Sequence, residues 1–431
     1  MKNFEKYKEK LQGKRLLILG GASQHCKLVE AARELGVVTY VTDNLISNAP
    51  AKDMADFSYN INLTETEALT ELCKREGIDG IASGWLDFPQ IPYQRLCDSV
   101  GVPCYGTQEE FDTLTRKSEF KKLCVAHGVG TPKTITQADI DRFPEILPIP
   151  VFVKPSDSAG SKGSTVAKTK TELLKAIDNA KLASNDGMVI TEEYIENARA
   201  FLAVYFFRNG EAQVQQLADA YFGNKEDGLE KINVAYRTPF SMADKYIEIA
   251  NDRFIAMLKD FGVKDGPVCV QGFMTDKDAL FYDPGRRFPG GEYERILKRY
   301  TGIDMMKGMV VFALTGSWPE EAVPLGEKPF LMNDRTTIRL QINVAPGVVG
   351  SDVGFDKAKD FPFVEYIAQY HFPGDTIEAT GNTHQRYAHV VIGANNTEEL
   401  IKNVQTLYNT IAVVDVNGNN MIRSKLNIDL L

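Results

Sequence analysis

The stretch Arg15-Leu-Leu-Ile-Leu-Gly20-Gly21-Ala22-Ser23, followed by the periodic segment Lys27–Leu35, a stop at Gly36 and the apolar run Val37–Val41, limits the fold of this chain more than any other part of it. A short apolar run closed by glycine has the length of a strand, and apolar residues recurring about every three or four positions mark a helix. Glycine after the helix supplies the left-handed backbone that stops it. Two strands joined through a helix lie parallel in one sheet, because a tight turn would serve an antiparallel pair. The alternation continues with a helix near residues 64–76, a strand at Ile78–Ala82, a helix around residues 90–100 and the run Val102-Pro-Cys-Tyr105. Residues 1–112 are therefore expected to form an open parallel α/β sheet.

After a helix at Arg116–His127 and the proline-rich run 143–150, the pattern becomes antiparallel. Short strands are expected at Val151–Lys154, Val166–Lys168 and Met188–Thr191, with a helix at 171–182. Alternating strands at 201–208 and 212–219 flank Asn209-Gly210, a strong hairpin signal because both residues accept positive φ. An amphipathic helix at 241–261, a strand pair at Val268–Met274 and Ala279–Asp283, and a helix at Thr397–Ile411 complete an α+β body. No internal repeat is apparent.

Composition excludes several classes. The chain has 431 residues with 49 Lys+Arg against 58 Asp+Glu, a formal charge of −9, which argues against a nucleic-acid partner. No apolar run approaches the roughly 18 residues of a membrane span. The segment Met1–Lys14 is charged, with no apolar stretch behind it, so no secretory signal is expected. Six cysteines without a C-x-x-C pair read as reduced thiols of a cytoplasmic protein, and the five histidines form no H-x-x-x-H pair, so a structural zinc is not expected.

Two glycine loops invite an anion. The first, at Gly20, lacks the dinucleotide fingerprint G-x-G-x-x-G, since its third and sixth positions are Ala22 and His25. A structural turn, or one that meets a substrate carboxylate, is expected there, with Asp43 as a cap or turn residue. The second loop, Ser156–Gly163, follows Lys154 at a strand end. Its small residues suit a flap whose amides fold over a polyphosphate, with Lys154 and Lys162 offsetting charge.

The order of features is more specific than any one of them. Lys117 lies on a helix, and Lys154 with its glycine loop comes 37 residues later. Glu192-Glu-Tyr-Ile-Glu-Asn-Ala-Arg199 follows, then Val270-Gln271, then Asp283-Pro-Gly-Arg-Arg287-Phe-Pro-Gly-Gly291. This succession resembles the ATP-grasp superfamily, and within it a single module of the biotin carboxylase and carbamoyl phosphate synthetase large-subunit branch. The resemblance implies an N-terminal domain over 1–112, an ATP-grasp domain over 113–330 with a mobile lid at about 130–205, and a C-terminal lobe over 331–431. It implies that Lys117 and Lys154 hold ATP phosphates, that Ser158, Gly160, Ser161, Lys162 and Gly163 form the flap, and that Glu192, Glu193 and Ile195 meet adenine largely through main-chain groups. Gln271 and Asp283 would hold Mg²⁺, or Mn²⁺ in its place, and Arg287 would steady the transferring phosphoryl group, with Asp283 and Arg287 catalytic.

The implied function is an ATP-dependent carboxylate ligase working through an acyl phosphate, with a small-molecule carboxylate and a nucleophile as substrates and a homodimer as the assembly. One departure stands out: the family's last motif reads Glu-x-Asn-x-Arg, whereas this chain has Asp283 and Gly285, and glycine offers no side-chain ligand. That departure leaves a nucleotide-binding sensor or scaffold without turnover as the alternative. An NAD-dependent oxidoreductase is disfavoured by the broken fingerprint. For the second substrate, Trp85 and Asp87 in Ser83-Gly-Trp-Leu-Asp87 are candidates, as are Arg237 and Arg286 for a carboxylate.

Overall fold

The computed structural model describes residues 4–431 apart from 47–48, 86, 143–149, 158–162, 197, 225, 228, 230–231, 326–334 and 382. The first sheet has four parallel strands in the spatial order Phe57–Tyr59, Val38–Thr42, Arg15–Leu19 and Gly80–Ala82. Leu17 faces Tyr40 on one side and Ile81 on the other, and four of the five residues of Arg15–Leu19 are buried. This is the parallel α/β sheet that the glycine-punctuated repeat requires.

One helix of that layer comes from far along the chain. Met305–Thr315 lies against the helix Cys26–Glu34 and the strand Gly80–Ala82. At Gly80 a Cβ would stand 2.3 Å from the Ala313 carbonyl oxygen, so only glycine permits this approach. Met309, Phe312 and Trp318 share one core with Leu16, Ile18 and Ile81. Residues 305–323 thus close the first core, although they lie within the range expected for the ATP-grasp domain.

The body is a nine-stranded antiparallel sheet. Its order is Ala279–Gly285, Gly266–Met274, Arg199–Arg208, Glu211–Phe222, Asn233–Thr238, Thr336–Val344, Arg386–Ala394 and Val364–Gln369, with Ile422–Arg423 also paired to Thr336–Val344. The expected hairpin is present: Arg208 pairs with Glu211, and Asn209 and Gly210 take φ of 53° and 79°. The sheet runs without a break from the central strands into those beyond residue 331, so the expected C-terminal lobe shares its backbone with the body. The amphipathic segment 241–261 is a helix with a π-turn at Ile247–Asn251 between Ala243–Tyr246 and Asp252–Asp260.

A smaller sheet stands apart, with Val151–Pro155 between Thr165–Ala167 and Val189–Glu193. With the helix Lys170–Ala183 it encloses its own small core around Val153, Leu173 and Ala180.

Candidate functional site

The register of two strands sets the site. In the antiparallel pair Gly266–Met274 and Ala279–Gly285, Gln271 lies directly opposite Asp283. Directly opposed residues in such a pair point to the same face, so an amide oxygen and a carboxylate meet there. Two tyrosines fix the Gln271 amide: Oε1 accepts from the Tyr282 hydroxyl at 3.1 Å, and Nε2 donates to the Tyr236 hydroxyl at 3.0 Å. Lys117, at the start of the helix Lys117–Ala126, brings Nζ to 3.0 Å from Asp283 Oδ1.

Both groups line a cavity of about 260 Å³ with Arg287 and Asp87. Arg287 grips Asp87 through two bonds, Nε to Oδ1 at 2.5 Å and Nη2 to Oδ2 at 2.7 Å. This bidentate pair joins the loop after Gly80–Ala82 to the end of the body's edge strand. Burial alone would lower the Arg287 pKa, but Asp87 together with Cys269 and Asp283 outweighs it and raises the pKa well above the ordinary value. At Gly285 a Cβ would meet Cys269 Sγ at 2.8 Å and the Arg287 guanidinium carbon at 3.5 Å. Cys269 and Arg287 therefore occupy the space that a side chain at 285 would need.

A second cluster adjoins the first through Tyr282, whose ring lies 5.3 Å from Lys154 Nζ. Lys154 is buried, and Nζ donates to Glu192 Oε1 at 2.6 Å, while Lys121 Nζ reaches Glu192 Oε2 at 2.9 Å. Burial lowers the Lys154 pKa, and Glu192 offsets this only in part. For Glu192, burial would raise the pKa, but Lys154 and Lys121 together draw it below the usual carboxylate value. The Glu192 side chain is thus committed to two lysines, which leaves the main chain of this strand end as the part that the resemblance assigns to adenine. Glu193 Oε1 accepts from the Lys133 amide at 2.8 Å, tying the strand end to the chain that enters the small sheet. Ile195 is half-buried just beyond that strand.

Of the expected flap, Ser158, Gly160, Ser161 and Lys162 lie outside the described residues. Gly163 has φ of 74°, and a Cβ there would stand 2.5 Å from that of Ala183, so the backbone at this position lies close against the helix of the small sheet. At the Gly20 turn, the Gly21 amide donates to Asp43 Oδ2 at 2.8 Å, and the turn is satisfied from within.

Two carboxylate-binding candidates have other roles. Arg286 is fully buried, and its guanidinium donates to Glu110 and to the carbonyls of Pro267, Tyr105 and Asp265. Arg237 donates to the Leu431 carbonyl at 2.9 Å and to Thr397 Oγ1 at 2.8 Å. Neither lines the cavity. Of the N-terminal pair, Asp87 does, whereas Trp85 is buried edge-on against His25 at 5.4 Å. The sequence reading missed Arg339, Gln341, Arg386 and His389, which line the other end of the cavity. A signal was present in Thr336-Thr-Ile-Arg-Leu-Gln-Ile-Asn-Val344, where Arg339, Gln341 and Asn343 alternate with apolar residues although every position is buried.

Among the described residues no group of three or more His, Cys, Asp or Glu side chains could hold a metal by itself. Gln271 and Asp283 nonetheless fit a magnesium ion whose other ligands are phosphate oxygens and water, since Mg²⁺ commonly binds through one or two protein oxygens plus substrate phosphates. The Gln271 oxygen accepts one bond and keeps a lone pair. Gly285 adds nothing, so the protein supplies ligands for one ion more readily than for two.

Hard oxygens on neighbouring strands, ringed by lysine and arginine, are suited to a nucleotide polyphosphate. A sequence profile described as an ATP-grasp domain matches residues 147–282, and the chain carries such a domain. Its relatives include carbamoyl phosphate synthase large chains, a 2-oxoglutarate carboxylase small subunit, formate-dependent phosphoribosylglycinamide formyltransferases and a D-alanine–D-alanine ligase. The chain is 25% identical to a carbamoyl phosphate synthase large chain of Pseudothermotoga lettingae over 52% of this chain and 20% of that one. It is 31% identical to a D-alanine–D-alanine ligase of Maridesulfovibrio salexigens over 42% of this chain and 56% of the relative. Each alignment thus spans only part of the relative. In fold, the chain is similar to the biotin carboxylase domain dimer of Hydrogenobacter thermophilus 2-oxoglutarate carboxylase, solved with MgADP and bicarbonate. The TM-score is 0.74 at 17% identity, covering 95% of this chain and 91% of that one. No helix among the described residues is long and apolar enough to cross a membrane.

Proposed function

We propose that this protein is an ATP-dependent ligase that activates a carboxylate as an acyl phosphate and passes the acyl group to an amine or similar nucleophile. The observation that carries the reading is the cross-strand pair of Gln271 and Asp283 with Lys117 and Arg287 around one cavity. In the proposed reaction a carboxylate oxygen attacks the γ-phosphorus of ATP, the bond to the β-phosphate oxygen breaks, and ADP leaves. The nucleophile then attacks the acyl carbon, inorganic phosphate departs and the nucleophile's proton is released. Mg²⁺ held by Gln271 and Asp283 would supply charge neutralisation at the phosphates. Arg287, oriented by Asp87, faces the charge that develops during transfer, and Lys117 and Lys154 bind phosphate oxygens.

The small sheet at 151–193 would serve as the lid within about 130–205, closing to keep water from the acyl phosphate. We assign the N-terminal domain to 1–112, completed by residues 305–323, the ATP-grasp domain to 113–330 and the C-terminal lobe to 331–431. A homodimer and a reducing, cytoplasmic setting belong to the same reading, supported by the dimeric neighbour and by six free cysteines.

Thermal unfolding with Mg-ADP, Mg-ATP, ATP plus chelator and NADH tests the nucleotide site. Metal-dependent stabilisation by ATP, weakened in Asp283→Asn, is expected, with no response to NADH. ADP release in the presence of carboxylate and amine pools tests turnover, which Arg287→Ala and Asp283→Asn should each reduce about a hundredfold or more. Near-normal rates in both variants would refute the assignment, and ATP binding without ADP release would favour a non-catalytic nucleotide sensor.

A further inference from the structure

The charged groups lining the cavity do not balance along its length. At one end Asp87 is paired with Arg287 and Asp283 with Lys117, and Asp157, beside the Ser156 carbonyl that takes the Lys117 amide, accepts from Ser184 Oγ and the amides of Asn185 and Asp186. At the other end stand Arg339 and Arg386, and neither makes an ion pair among the described residues. The nearby acids are already engaged: Glu292 with Lys27 at 3.1 Å and Arg295 at 2.8 Å, and Glu294 with Lys27. Arg339 is 8% exposed; its guanidinium carbon lies over the Tyr236 ring, 4.4 Å from its centroid, Nη1 donates to the Gly290 carbonyl at 2.5 Å, and buried Nε has no acceptor among the described residues. The Arg386 guanidinium lies 4.4 Å over Tyr370, and its buried Nε also lacks an acceptor.

The backbone makes room for this arrangement. At Gly291, where φ is 103°, a Cβ would fall 1.1 Å from Arg339 Nη1, so glycine is required for the guanidinium to sit there. His389, opposite Gln341 in register, adds no negative charge: its nitrogens meet the Tyr370 hydroxyl at 3.0 Å and Gln341 Oε1 at 3.3 Å. Burial, reinforced by Arg386 and Arg339, lowers its pKa well below the ordinary value, which leaves it neutral. Burial likewise lowers the pKa of both arginines, as expected of cations that lack an anion. A buried cation without a partner is costly, whereas one that meets an oxyanion forms strong charge-assisted hydrogen bonds.

Resting on the ligase reading above, we propose that Arg339 and Arg386 bind a second oxyanion of the substrate, so that the acceptor is a dicarboxylate or a phosphorylated carboxylate rather than a simple monocarboxylate. Tyr236 sets the spacing. Its hydroxyl accepts from Gln271 on the nucleotide side while its ring carries Arg339 on the other. One tyrosyl side chain therefore separates the two ends, which suits two oxyanions joined by a short carbon chain.

The test is calorimetric titration of the full-length protein, with Mg-ADP present, using succinate, phosphoglycolate and the monoanion butyrate. At least one dianion is expected to bind tenfold or more tighter than butyrate, and Arg386→Gln to erase that preference. Preference for succinate marks a dicarboxylate substrate, and preference for phosphoglycolate a phosphorylated one. Arg339→Gln gives a second reading, with retained Mg-ADP binding showing that each variant is folded. Equal affinity for all three probes, no binding of either dianion, or a preference that survives both substitutions would overturn the proposal. A preference that persists in wild-type protein that fails to bind Mg-ADP supports the oxyanion site while refuting the nucleotide reading.

Discussion

Arg286 and Arg287 are adjacent in sequence, chemically identical, and directed to opposite surroundings. Arg287 faces the cavity and Asp87, whereas Arg286 is enclosed with Glu110 at 2.8–3.0 Å and three backbone carbonyls. The Arg286 network ties the segment around Tyr105 and Glu110 to the strand Gly266–Met274, so it holds the first sheet against the body. Removing one partner of a buried pair leaves the other charge without compensation, at about 3–5 kcal/mol. Glu110→Ala should therefore lower stability by about 3–5 kcal/mol in urea unfolding, part of it from loss of the capping box that Glu110 completes with Thr107. A loss under about 1 kcal/mol would be typical of an exposed ion pair and would contradict this account.

At the scale of the strand pair, Gly285 and Cys269 are opposed in register, and the thiol fills the space above the glycine. Gly285→Ala should lower stability by about 1–3 kcal/mol through overpacking, and Cys269→Ala in the same chain should restore most of it. Additive effects in that double-mutant cycle would show that the two do not compete for space. This strand pair was readable in the sequence because its apolar runs are local, and motif order singled out Gln271 and Asp283, whereas the register that sets them opposite each other is seen only in the fold. The Asn209-Gly210 turn was readable for the same reason. The helix Met305–Thr315 was not, because its apolar face matches a sheet formed more than 200 residues earlier, and nothing local says which core a helix will cover. Arg339 and Arg386 escaped notice because their cluster forms only when Thr336–Val344 pairs with Arg386–Ala394. The motif assigns Glu192 to a hinge that works largely through its main chain, and it gives no sign that the side chain is held by lysines from two other elements.

At the scale of the whole molecule, two buried imidazoles sit in different parts of the fold and give stability a pH dependence. His25 lies beneath the first glycine turn, where a Cβ on Gly20 would stand 2.2 Å from its ring. Burial lowers its pKa to about 4, partly offset by the Ala22 carbonyl and Asp43. His389 is lowered well below the ordinary value by burial and by Arg386 and Arg339. In the unfolded chain both return to about 6.5. Below that pH the unfolded state binds more protons than the folded one, so stability rises with pH and levels off above about 6.5. As pH falls, each histidine contributes a slope of up to about 1.4 kcal/mol per unit, and that of His25 ends near pH 4, where the folded state also takes up its proton. Urea midpoints between pH 5 and 7.5 test this. The midpoint should fall steadily below about pH 6.5 in the wild type, and His25→Gln and His389→Gln should each remove about half of the slope. Midpoints independent of pH over that range would mean that neither imidazole is held neutral by the fold.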